Sequence, residues 1–143
     1  MNTHPSSSPA FPSRAASWSG RVLTTLCVLF LLMDAVMKFV KPEPVIKGTL
    51  DLGYPESSLP IMGISLLAGL LLHVIPRTAL LGALVITGYL GGAVATHVRV
   101  DNPLFSHVLF PTYIAAMLWG GLALRRPQVS ALLLGTQSGN SQS

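Results

Sequence analysis

The residues best suited to chemistry in this sequence are few, and most lie in apolar surroundings. Asp34 and Lys38 stand four apart within a hydrophobic run, so on a helix they share one face and can pair. His97 and His107 flank a short polar turn that also holds Arg99 and Asp101, and Tyr54 lies two residues before Glu56 in another turn. A carboxylate, an ammonium and two imidazoles can hold, donate or pass protons, since an unperturbed imidazole titrates near neutrality, with a pKa of about 6.5. Asp34 is the most telling of them. A carboxylate facing hydrocarbon costs several kcal/mol, so it is expected to turn into the protein interior with Lys38 as its partner.

The surroundings are read from composition. Of 143 residues, half are apolar and 10% are charged, and mean hydropathy is positive. A soluble domain of this size carries about a quarter charged residues, because a small body has much surface to solvate. The chain therefore belongs in the lipid bilayer, as one helical domain. Its nine Lys and Arg residues, net charge +4, are scattered among apolar spans and form no basic run, so no nucleic-acid partner is expected. Cys27 is the single cysteine, which excludes an intramolecular disulfide, a Cys-x-x-Cys pair and a multi-cysteine metal site. Inside an apolar helix it reads as a small buried hydrophobe.

The fold class expected is all-α: an integral membrane bundle of four transmembrane helices with disordered termini. The spans read as about 22–40, 58–75, 79–96 and 104–124, within a domain covering 21–126. The nineteen residues from Val22 to Val40 cover about 28 Å as a helix, close to the thickness of a bilayer's hydrocarbon core. Residues 1–20, rich in Ser and Pro, read as a disordered cytoplasmic tail, and Trp18 as an interface anchor. No small-x-small cleavage site follows the first apolar run, so it is read as an uncleaved helix. Residues 127–143 read as a polar tail with one apolar patch, Val129 to Leu134, too short to span.

The breaks between spans follow from proline and glycine. Lys41-Pro-Glu-Pro44 stops the first helix, Val45 to Leu52 reads as a short amphipathic turn at the surface, and Gly53-Tyr-Pro-Glu56 makes a second break. Pro76-Arg77-Thr78 is so short a turn that the helices on either side must be antiparallel neighbours. Asn102 is placed to cap the last helix, and Pro111 to kink it near His107. Gly88, Gly92 and Thr96 fall on one stripe of the third span. Glycine costs about 1 kcal/mol relative to alanine in a helix exposed to water, so the stripe is read as a helix-packing face, with a bound flat ligand as the alternative.

Four spans put both termini on one side. That side holds Arg14, Arg21, Arg77, Arg125 and Arg126, and the other Lys38, Lys41, Lys47 and Arg99, a balance that favours cytoplasmic termini by the positive-inside rule. The same topology gathers Asp34, Lys38, Tyr54, His97, Arg99 and His107 at the external end of the bundle. Convergent polar groups beside an apolar bundle make a candidate site.

These motifs in combination resemble the DoxX-like family of small membrane proteins. The likeness is carried by Asp34-Ala-Val-Met-Lys38 with Lys41-Pro42, by Leu52-Gly-Tyr-Pro-Glu56 and by Ile75-Pro-Arg-Thr-Ala-Leu-Leu-Gly-Ala83. Above all it rests on Gly88-Tyr-Leu-Gly-Gly-Ala-Val-Ala-Thr-His97 with Pro103-Leu-Phe105, and it covers roughly Val22 to Arg126. The resemblance implies an integral membrane helix bundle, and some members of the wider group are connected with quinone-linked sulfur oxidation or with thiol and oxidative-stress systems; the expected location is the bacterial inner membrane. A thiol-exchange role conflicts with the lone Cys27. Two functions are therefore carried forward. One is a redox-associated membrane protein that binds a quinone or similar amphipathic molecule, with His97 or His107 bonding a carbonyl oxygen, Asp34 relaying a proton and Tyr89 or Tyr113 stacking. The other is a non-catalytic subunit or assembly partner that docks on a membrane or peripheral protein through the Gly88, Gly92, Thr96 face. Two histidines without a third ligand pattern do not define a metal site, and haem is not expected.

Overall fold

The computed structural model describes residues 13–135, all of whose regular elements are helical. In chain order these are α1 (Arg14–Val40), α2 (Glu43–Asp51), a 3-10 turn (Glu56–Ser58), α3 (Leu59–Val74), α4 (Ala79–Arg99), a π-helical turn (Leu104–Val108), α5 (Phe110–Arg125) and α6 (Pro127–Leu133). Four stretches, 14–40, 56–74, 79–99 and 104–125, are long and apolar enough to cross a membrane. The bundle is apolar outside as well as in: Leu29, Met33, Ile61, Leu71, Leu84 and Leu132 all point outward and are exposed. Water would not tolerate that surface on a monomer, whereas lipid matches it.

The ends of the elements differ from the sequence expectation in places. Helix α1 begins at Arg14 rather than near Val22, because the Ser13 hydroxyl accepts the Ala16 amide at 3.2 Å and Arg-Ala-Ala continues well as helix. It stops at Lys41, which adopts a left-handed conformation and donates its N–H to the Met37 carbonyl. The segment after the two prolines is a full helix, α2, with Pro44 in its first turn, where a missing N–H costs nothing. The expected kink at Pro111 takes the form of the π turn: Val108 N bonds Pro103 O at 3.3 Å and Leu109 N bonds Leu104 O at 2.8 Å. Asn102 does not cap the helix that follows. The patch at Val129 forms α6, which lies against α5 with Val129 buried. The disorder expected of residues 1–12 and the polar tail from 136 onward lie outside the described residues.

Helix α1 packs on α3 and α5, and α4 packs on α3 and α5, around a core built from Cys27, Leu31, Leu66, Ile86, Leu118 and Leu122. The Cys27 thiol is buried and bonds the Ile114 carbonyl at 3.7 Å. In lipid the hydrophobic effect does little to hold helices together, so close backbone approach must do more. Glycines provide it at two crossings. A methyl on Gly82 would lie 2.2 Å from the His73 backbone nitrogen, where α3 meets α4, and a methyl on Gly20 would lie 2.9 Å from the Gly121 carbonyl, where α1 meets α5. The glycines of the stripe singled out from sequence make no such crossing: methyls on Gly88 and Gly92, and on neighbouring Gly91, would meet nothing within 4 Å. The packing glycines are others, because the rotation of α4 about its axis is set at Gly82.

This contrast is measurable. Gly82→Ala must push two backbones apart and is expected to lower unfolding stability by about 3 kcal/mol, the upper end for overpacking. Gly91→Ala is expected to leave the melting temperature in detergent unchanged or slightly raised. Equal effects from the two substitutions would contradict the assignment of the crossings.

Candidate functional site

The polar groups of α1 come first. Lys38 Nζ donates to Asp34 Oδ2 at 2.6 Å, and the side chains are 12% and 39% exposed respectively. Helical spacing alone brings the two together; the bundle decides what they face. Both line a cavity of about 470 Å³, walled by α1, α4 and α5 and reached by Thr49 of α2 and Met62 of α3. Ligand sites typically measure some 300–1,000 Å³ and are mostly apolar with a few placed polar groups. Here Phe30, Leu31, Phe110, Pro111 and Ile114 supply the apolar wall, and Lys38 Nζ lies 6.0 Å from the centre of the Tyr89 ring.

Tyr54 and Thr96 close one side. Thr96 donates its only hydroxyl hydrogen to the Gly92 carbonyl at 2.9 Å. Tyr54 Oη, 2.9 Å from Thr96 Oγ1, must therefore be the donor between them. Arg99 holds this arrangement from outside. Its guanidinium donates to the Leu52 carbonyl and lies 5.7 Å over the Tyr54 ring. A side chain at residue 53 would obstruct it: Gly53 has φ +79°, and a methyl there would come within 3.0 Å of Arg99 Nη2. Lys41 and Glu56, 3.1 Å apart, tie the end of α1 to the start of α3 at the same level.

His97 also lines the cavity. With the Asn102 amide nitrogen facing the ring, Nδ2 donates to His97 Nδ1 at 2.8 Å, so the neutral ring carries its proton on Nε2 and can donate from there. His107 makes an edge-to-face contact with His97, ring centres 5.8 Å apart, and its Nδ1 lies 2.8 Å from Ser106 Oγ.

The structure thus brings Asp34, Lys38, Tyr54 and His97 into one cavity, together with Gly88, Gly92 and Thr96. Arg99 and His107 stand outside it and are exposed. His107 lies on the π turn, behind His97, and Arg99 acts as a strap. Gly88 and Gly92 are both cavity lining and exposed, as is Phe110 across from them on α5, so the cavity reaches the lipid-facing surface beside α4. Sequence reasoning missed the pairing of Asn102 with His97; its only signal was an amide five residues beyond the histidine, in the turn that follows α4. It also missed the bond from Trp119 Nε1 to Thr87 Oγ1 at 2.9 Å, which locks α5 to α4.

Fold and site together define a small helical membrane protein with a mostly apolar cavity that carries a few polar groups at one end of the bundle. The chain belongs to the DoxX-like family, whose model matches residues 22–121. No curated protein and no solved structure matches it.

The strap has a direct test. Arg99→Met removes the tie to Leu52 and is expected to speed amide hydrogen exchange across residues 43–54 while the four spans keep their protection; unchanged exchange there would show that Arg99 holds nothing. Tyr54→Phe is expected to cost about 1 kcal/mol of stability, the usual worth of one hydrogen bond.

Proposed function

We propose that the protein binds a lipid-soluble molecule with a carbonyl- or hydroxyl-bearing ring, of the quinone class, in the cavity shared by Asp34, Lys38, Tyr89 and His97. One observation carries this reading: a charged pair, a donor imidazole and four aromatic rings line a single cavity that also touches the lipid-facing surface. A planar head would lie among Phe30, Tyr89 and Phe110. Lys38 and His97 Nε2 would donate to its oxygens, and Asp34 would hold the ammonium of Lys38 in place and receive a proton from a ring hydroxyl. An apolar tail would leave past Gly88 and Gly92, where the missing side chains keep the wall low. Association with a membrane redox system is the part of the proposal that rests on family resemblance. The excess of arginine near the termini supports cytoplasmic termini in a bacterial inner membrane.

A second reading has its own observation. Gly88, Gly91 and Gly92 form an exposed track with open space above it, which suits a helix of another membrane protein. The two readings part on substitution. Ala93→Trp, which fills the cavity from α4, is expected to abolish co-purification of a quinone-class molecule detected by native mass spectrometry in mild detergent, with the melting temperature retained. Gly91→Leu, pointing away from the cavity, is expected to leave that ligand in place. If instead no such ligand accompanies the wild-type protein and Gly91→Leu removes a co-purifying protein, the docking reading replaces the binding one.

A further inference from the structure

The opposite end of the bundle holds two buried polar atoms that no group among the described residues pairs: His73 Nε2 and Thr24 Oγ1. Their residues are only 2% and 9% exposed. Both line one pocket of about 230 Å³ between α1 and α3, with Arg125 of α5. Leaving a buried polar group unpaired costs on the order of 1–3 kcal/mol, so two such atoms on residues that line one pocket need a reason.

The hydrogen-bonding roles at this pocket are fixed by the neighbours. His73 Nδ1 lies 3.0 Å from the Ala79 carbonyl, which can only accept, so Nδ1 carries the proton and Nε2 of the neutral ring presents a lone pair. Thr24 differs from four other helical hydroxyls. Thr49, Ser65, Thr87 and Thr96 each donate to the carbonyl one turn back, and Thr24 does not. Its hydroxyl hydrogen is therefore free to be given to an incoming acceptor. Arg125 adds positive charge, and among the described residues only its Nε is engaged, to the Gly121 carbonyl at 3.2 Å; Arg21 and Arg126 reinforce the local positive field. A fitting occupant must donate one hydrogen to His73, accept from Thr24 and carry negative charge toward Arg125. The volume is below the range of sites that enclose a whole ligand and suits a head group. Leu29 and Val74, also lining the pocket, are exposed to the apolar exterior, where attached chains would run.

We propose that this pocket binds an anionic phosphate accompanied by a hydroxyl, as in the head group of an acidic membrane lipid such as phosphatidylglycerol. The site is independent of the cavity at the other end: the two share no lining residue. The hydroxyl donates to His73 Nε2, the phosphate oxygens accept from Thr24 Oγ1 and from the Arg125 guanidinium, and the bound lipid joins α1, α3 and α5 at the arginine-rich face.

Native mass spectrometry of the full chain with added phosphatidylglycerol or phosphatidylcholine tests this, since the two lipids share the phosphodiester and only the first carries free hydroxyls on its head group. The expected preference for phosphatidylglycerol is roughly tenfold, and Thr24→Val, which is isosteric, and Arg125→Gln should each reduce it to roughly threefold or less. A parallel titration with inorganic phosphate, read by melting temperature, separates the sources: a rise in the wild type that Thr24→Val abolishes, without lipid preference, assigns the site to free phosphate. Equal binding of the two lipids with no response to phosphate overturns the proposal, and so does a lipid preference that survives Thr24→Val. The lipid comparison on the wild type needs no variant to fold.

Discussion

A charge carried into hydrocarbon has to be met by an opposite charge, by water or by a ligand, and this requirement shapes the distal half of the bundle. Lys38 meets Asp34 at 2.6 Å on one face of α1, but an ion pair on a helix surrounded by lipid would still pay most of the cost of dehydration. The bundle meets that cost by turning the pair inward, toward the polar groups of α4 and beneath the segment that follows α2. The position of α2, the strap from Arg99 to Leu52, and the Tyr54–Thr96 bond all follow as ways of keeping that end of the bundle assembled around a cavity instead of collapsing it. A collapsed apolar core would leave the pair nowhere to go.

Glycine has two opposite uses here. At Gly20, Gly82 and Gly121 the absent side chain permits backbone contact, which is what binds helices in a solvent that gives little hydrophobic drive. At Gly88 and Gly92 the absent side chain leaves space, and the same residue type lowers a wall. The proximal end, where glycines bring backbones together, carries a small pocket lined by His73 and Thr24, and the distal end carries the larger cavity.

Much of this was legible from the sequence. The four spans follow from hydropathy, the Asp34–Lys38 pair from helical spacing, and the gathering of polar groups at one end from counting crossings. What was not legible depends on helix rotation. Whether Gly88 faces a neighbour or a void is decided by the crossing at Gly82, which brings α4 onto the His73 backbone. His107 was grouped with His97 because both border the same turn, yet it lies on the π turn outside the cavity, in edge-to-face contact with the His97 ring. The early start of α1 at Arg14 escaped notice because its first turns are polar and small and carry no apolar period. His73 and Thr24 gave no sign in sequence, being distant in the chain and brought together only by the packing of α1 on α3.

We propose a quinone-class molecule as the occupant of the distal cavity. Photolabelling with a photoactivatable quinone in membranes, followed by peptide mapping, tests it most directly. Adducts confined to the segments around Phe30–Lys38, Gly88–His97 and Phe110–Ile114, and suppressed by excess unlabelled quinone, are the predicted result. Labelling spread along the outward faces, at residues such as Leu81 and Leu84, and indifferent to competitor would contradict it.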